Sequence, residues 1–87
     1  MITRLPAVSV RVLLFASYAE TLGFDELELS LDAPATVGDA LRRIQTLPGG
    51  ERLPPRPLCA LNLSQVTPAA PLSSGDELAL LPPLSGG

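Results

Sequence analysis

Few residues in this chain can do chemistry, and the shortage is itself informative. Among 87 residues there is no histidine, all six basic residues are arginine, and Cys59 is the only cysteine. Metal sites of the ordinary ligand types and histidine-assisted nucleophiles are therefore excluded. Cys59 sits in the apolar run LCALNL with no cation beside it in sequence, the setting of a small core residue. Glu26 and Glu28 share one face of an alternating segment and read as a solvated strand edge. Asp76 and Glu77 follow Gly75 and read as turn chemistry, and the PPRP stretch at 54–57 is too short a loop to dock as a polyproline ligand. What remains is the ending LALLPPLSGG, residues 78–87, where the α-carboxylate of Gly87 is the one group with a plausible reaction to perform.

That carboxylate is unhindered. Without Cβ atoms, Gly86 and Gly87 can thread a passage too narrow for other residues, with Ser85 entering behind them. Pro82 and Pro83 fix two φ angles near −65° and form a stiff spacer. Six extended residues reach roughly 20 Å, enough for the body to dock outside a partner's active site while the carboxylate reaches inside. Residues 83–87 are thus expected to project as a tail. Ordering it costs about 1 to 2 kcal/mol per residue, so docking energy must come from the body. An apolar sheet face near the tail is the expected source, with Leu81, Leu84 and Pro83 as candidate contacts and Phe15 as a weaker one. Core burial is the competing role for Phe15 and Leu81, and the one favoured for both.

The elements that must hold this tail follow from periodicity. VSVRVLLFA, 8–16, is apolar on one face and partly on the other, which predicts a strand covered on both sides. SYAE supplies Ser17 as the cap of a short helix closed by Gly23, with Glu20 reaching back. DELELSL, 25–31, alternates strictly as an outer strand with one wet face. TVGDALRRIQTL, 36–47, carries Thr36 as cap with Asp39 three residues on, and Val37, Ala40, Leu41, Ile44 and Leu47 recur at the helical interval. PGGERLPPRP is a loop, LCALNL a short strand, SQVTP a turn, and ELALLP, 77–82, a final strand apolar enough to be central. One sheet with one crossing helix, its first and last strands side by side, is an α+β fold of the β-grasp kind. The expected divisions are an N-terminal extension at 1–7, the domain at 8–82 and the tail at 83–87.

Composition bounds the rest. The chain is 46% hydrophobic and only 3% aromatic, so one core of leucine, valine and alanine is expected. A net charge of −3 with no basic stripe sets nucleic acid aside and favours encounter with a basic protein surface. The segment Met1–Ala7 is broken by Arg4 and Pro6, and no membrane-length apolar run occurs, so no membrane association is expected and the cytoplasm is the expected compartment.

These residues resemble the sulfur-carrier small subunit of molybdopterin synthase, a ubiquitin-like family. VRVLLFASYAETLG, 10–23, is similar to the family's opening strand and FA-containing turn; ALNL, 60–63, resembles its A-V-N segment with Asn62 retained. PLSSGDELALLPPLSGG, 71–87, resembles its P-L-x-x-G-D-E-V-x-x-x-P-P-x-x-G-G ending, the most specific match. Two departures stand out: Ala19 occupies the place of an arginine before Glu20, and Met1–Ala7 extends ahead of the first strand. The resemblance implies a cycle in which an adenylyltransferase, an E1-like activating enzyme, adenylates Gly87 with ATP, after which a sulfur source converts the acyl adenylate to a thiocarboxylate. The carrier then donates sulfur to a pterin precursor inside the large catalytic subunit of molybdopterin synthase. No permanently bound cofactor and no metal is implied, and the chain would be a non-catalytic subunit. Carriers of thiamine or cysteine synthesis, a ubiquitin-like protein modifier and a plain interaction module are the alternatives. Without lysine, the chain cannot build lysine-linked polymers of itself.

Overall fold

The computed structural model describes residues 6–54 and 56–83. The first strand, β1 (Ala7–Leu14), is followed by helix α1 (Ser17–Leu22) and by β2 (Glu26–Asp32), which pairs antiparallel with β1. A two-residue strand β3 (Ala35–Thr36) leads into the main helix α2 (Val37–Gln45) and a 3₁₀ turn at Gly50–Arg52. Then come β4 (Leu58–Leu61), β5 (Ser64–Val66), β6 (Pro71–Leu72) and β7 (Glu77–Leu81). The main sheet runs β2-β1-β7-β4-β5, and β3 pairs with β6 in a separate ribbon. The first and last long strands lie side by side and parallel, with Leu14 opposite Leu80. With one helix crossing the sheet, this is the β-grasp arrangement expected from the sequence.

Each element has a local cause. Thr36 accepts from the Asp39 amide and the Asp39 carboxylate accepts from the Thr36 amide, a complete capping box that starts α2. Val37, Ala40, Leu41 and Ile44 fall on one face of that helix and are buried, while Arg42 and Arg43 face water. Gly23 closes α1 in the left-handed region at φ 88°, its amide donating to the Ala19 carbonyl. Gly50 is required for a different reason: a Cβ there would stand 2.2 Å from the Ile44 carbonyl oxygen, so the 3₁₀ turn could not fold back against the end of α2.

The core lies between α2 and one face of the sheet. Val10 and Val12 of β1, Leu78 and Leu80 of β7, and Val37 and Ile44 of α2 are its most deeply buried large side chains. Each such residue contributes roughly 1.5 to 3 kcal/mol of transfer free energy.

Several expectations need correcting. α1 begins at Ser17, its N-cap is Ala16, and no side chain caps it, so the proposed Ser17 and Glu20 pairing does not form. SQVTP is not only a turn, because Ser64–Val66 pairs with β4 as an edge strand. The strand of the first domain segment starts at Ala7, one residue earlier than read, and Ala33 donates its amide to the Pro6 carbonyl. Most consequential, β1 is covered on one side only: Val8, Val10, Val12 and Leu14 are buried, whereas Ala7, Ser9 and Arg11 are exposed and Leu13 is half-buried.

Candidate functional site

The apolar second face of the sheet is the reason those strands looked doubly covered. Among the described residues only one helix of any length exists, and it covers the opposite face. On the open side Leu13 pairs with Ala79, Ala79 with Ala60, and Leu81 with Leu58. Alternation makes these the outward partners of Leu14, Leu80 and Cys59, which point into the core. Leu58 is 46% exposed, and Leu13, Ala60, Ala79 and Leu81 are half-buried. Sequence reasoning missed Leu58. Its signal was the unbroken apolar run of β4 in a chain with too few helices to cover both faces.

Polarity divides this face along the strands. Arg11 lies between Glu26, at 3.4 Å, and Glu77, at 4.0 Å, and the Ser9 hydroxyl donates to Glu28 at 3.2 Å. These exposed pairs contribute little to stability but keep that end wet. The apolar end is the one where β7 terminates. Because β1 and β7 are parallel, Phe15 follows β1 at the same end as Leu81. Phe15 is 44% exposed, so the core role favoured for it is incorrect; α1 turns away immediately after it and the ring is left outside. Leu81 is likewise not fully buried. Phe15 also lines a depression of about 400 Å³ with Leu13, Leu14, Ala16, Ala19, Asp25 and Glu26. Ala19, the position of the missing arginine, forms part of its wall.

Pro82 is half-buried and Pro83 exposed, beyond the end of β7. The remaining candidate residues, Leu84, Ser85, Gly86 and Gly87, lie outside the described residues. The structure therefore brings Phe15, Leu81 and, unforeseen, Leu58 to the edge from which the C-terminal segment departs.

The motif residues Asn62 and Asp76 have a different role. The Asn62 side-chain amide donates to Asp76 Oδ1 at 3.0 Å, and Asn62 Oδ1 accepts from the Glu77 amide at 3.0 Å. Asp76 Oδ2 accepts from the Ser73 amide at 2.7 Å. This clamp joins the β4–β5 hairpin to the start of β7, at the opposite end of the strand from Leu81, roughly 15 Å away at strand spacing. It fixes the strand from which the tail extends and touches no reactive group.

Cys59 is 3% exposed, its Sγ donating to the Pro57 carbonyl at 3.4 Å, and burial pushes the thiol's pKa up. It is a core residue, as read from the sequence. Tyr18 is also buried, which raises its pKa with a smaller contribution from Cys59, and its hydroxyl finds no partner among the described residues. Asp39 is held below the usual carboxylate range, first by the Thr36 amide and then by the Thr36 hydroxyl and the neighbouring Arg42.

A ubiquitin-like β-grasp body with a helix on one sheet face, and an open apolar patch beside the C-terminal segment on the other, defines a class of small carrier and modifier proteins. Within that class the chain belongs to the ThiS family, whose profile matches residues 12–87. It is 34% identical over 82 residues to the molybdopterin synthase sulfur carrier subunit of Arabidopsis thaliana, covering 93% of this chain and 85% of that one. It is 33% identical over 87 residues to the corresponding subunit of Escherichia coli, covering 90% of this chain and 99% of that one. Among solved structures it is similar to SAMP1 of Haloferax volcanii, a small archaeal modifier protein, with a TM-score of 0.80 and 33% identity over 91% of this chain and 99% of the other.

Proposed function

We propose that this chain is the sulfur carrier of a molybdopterin synthase, acting through the α-carboxylate of Gly87. The observation that carries the reading is the near full-length similarity to two sulfur carrier subunits, joined to an apolar sheet patch placed where the tail begins. In the first step a Gly87 carboxylate oxygen attacks the α-phosphorus of ATP on an adenylyltransferase, and pyrophosphate leaves. Hydrosulfide then attacks the acyl carbon and expels AMP, and loss of its proton leaves a thiocarboxylate. Among the described residues no cluster of metal-ligating side chains occurs, and the part proposed for the body is to supply position.

Delivery of the sulfur to a pterin precursor takes place in a large catalytic subunit, reached by Leu84, Ser85, Gly86 and Gly87. Four extended residues span at most about 14 Å, so the sheet edge must seat at the rim of the partner's site. Leu81, Leu58, Phe15 and Pro83 are the contacts proposed to supply the docking energy that the glycines lack. Tethering the nucleophile in this way replaces a bimolecular encounter with a local one. The cytoplasm suits this reading, and no helix among the described residues is long and apolar enough to cross a membrane.

The likeness to a small archaeal modifier protein favours a second reading, in which the activated Gly87 carboxyl is passed to an amine of another protein. Reconstitution separates the two. The large catalytic subunit, charged carrier and pterin precursor are expected to give sulfurated product, and carrier lacking Gly87 none. Equal product with the truncated chain, or accumulation of amide-linked conjugates in place of product, would defeat the carrier reading.

A further inference from the structure

An activated glycine carboxyl is an acylating agent, and every copy of the chain is itself a potential target for it. The side chains that attack such carbonyls are the lysine amine, the cysteine thiolate, the histidine imidazole and, when activated, hydroxyls. Lysine and histidine do not occur in the sequence. The six arginines carry delocalised guanidinium groups that donate hydrogen bonds and offer no acceptor lone pair. Serine and threonine hydroxyls have no imidazole in the chain to activate them, and the exposed Ser9 hydroxyl has only the Glu28 carboxylate at 3.2 Å, carboxylates being weaker bases than imidazole. Carboxylates give only anhydrides, which return to carboxylate in water.

Two nucleophiles remain, and the fold withdraws both. Cys59 is on β4, opposite Leu80, with its side chain toward the core and 3% of its surface accessible. Tyr18 is on α1, 6% accessible. Burial also keeps the thiol and the phenol in their protonated, unreactive forms. Thus the composition removes most acceptors and the packing removes the rest.

We propose that the folded body offers no side-chain acceptor for its own activated carboxyl, so that charged carrier is consumed by sulfur donor, by water, by backbone amines or by nucleophiles of other proteins, and never by acylating a side chain of a second copy. The reaction excluded is attack of a side-chain amine or thiolate on the Gly87 carbonyl, forming an amide or thioester and expelling AMP. Its importance to function rests on the carrier reading, but the property itself does not.

The test uses full-length chain with an acetylated α-amine and a C-terminal thioester of a small thiol on Gly87, installed without any activating enzyme. The native chain, held in mildly alkaline buffer at high concentration, is expected to show only hydrolysis, with no dimer and no cyclic product by intact mass. Concentrated urea, which exposes Cys59, is expected to produce cyclic or dimeric thioester with loss of the small thiol. An Arg43→Cys variant, carrying an exposed thiol on α2, is expected to form such adducts while folded, and an Arg43→Lys variant to accumulate amide-linked dimer. Adducts of the folded native chain mapping to Cys59, Tyr18 or any other side chain would overturn the proposal. So would folded Arg43→Cys chain that forms none, since protection would then come from the tail's reach and not from the missing acceptors. Failure of an adenylyltransferase to charge Gly87 would count against the carrier reading alone.

Discussion

At the scale of single residues, the body's polar and strained positions are structural. Tyr18 buries a hydroxyl without a partner among the described residues, which costs more than burying a plain ring. Tyr18→Phe is therefore expected to raise stability by about 1 kcal/mol in urea titration, and a loss would mean the hydroxyl is satisfied in solution. Asn62 and Leu63 form a two-residue hairpin loop with both φ values positive, 50° and 75°. Asparagine tolerates this; leucine does not, and Leu63 is 92% exposed, so it recovers nothing by packing. Leu63→Gly should relieve the strain, and after glycine's greater unfolded freedom is subtracted the net gain is about 0.5 to 1 kcal/mol. For a domain of this size that is a Tm increase of roughly 2 to 8 °C, and an unchanged or lower Tm would contradict the strain.

Among the elements, the start and buried face of α2 were legible from Thr36, Asp39 and the apolar interval, because a capping box and a 3.6-residue period are local signals, while its end at Gln45 came two residues before the expected Leu47. The Asp39 carboxylate accepts in the folded state from the Thr36 amide, which lowers its pKa below the unfolded value. A depressed carboxylate contributes stability that is fully present above about pH 4 and is lost as pH falls through the folded pKa. Asp39→Asn should therefore melt below the native chain at neutral pH, with the gap closing in acid; a pH-independent gap would show that charge has no part in the cap. The strands were legible as strands but not as surfaces. Apolar residues on both faces of β1 and β7 imply two covers, and periodicity cannot say whether the second cover belongs to the same chain. β5 and the β3–β6 ribbon escaped because two or three residues carry no period, and Ser17 failed as a cap because the preceding turn places Ala16 at the helix start.

At the scale of the molecule, the proposed function makes the open patch and the tail one device, in which the patch is assigned binding and the tail reaction. The apolar run around Leu58 was readable in the sequence, but its place beside Leu81 is set by strand pairing, which topology reveals. Leu58→Ser should leave stability within about 1 kcal/mol of the native chain, since the side chain is half exposed, yet weaken association with the large subunit about tenfold or more in calorimetric titration. Unchanged affinity would place the docking surface elsewhere. The reactive end is tested most directly by the intact mass of the chain co-expressed with its activating enzyme and a sulfur source. Replacement of one oxygen by sulfur, localised to Gly87 and absent when Gly87 is deleted, is the predicted result; an unmodified terminus under charging conditions, or sulfur found on Cys59 instead, would contradict the account.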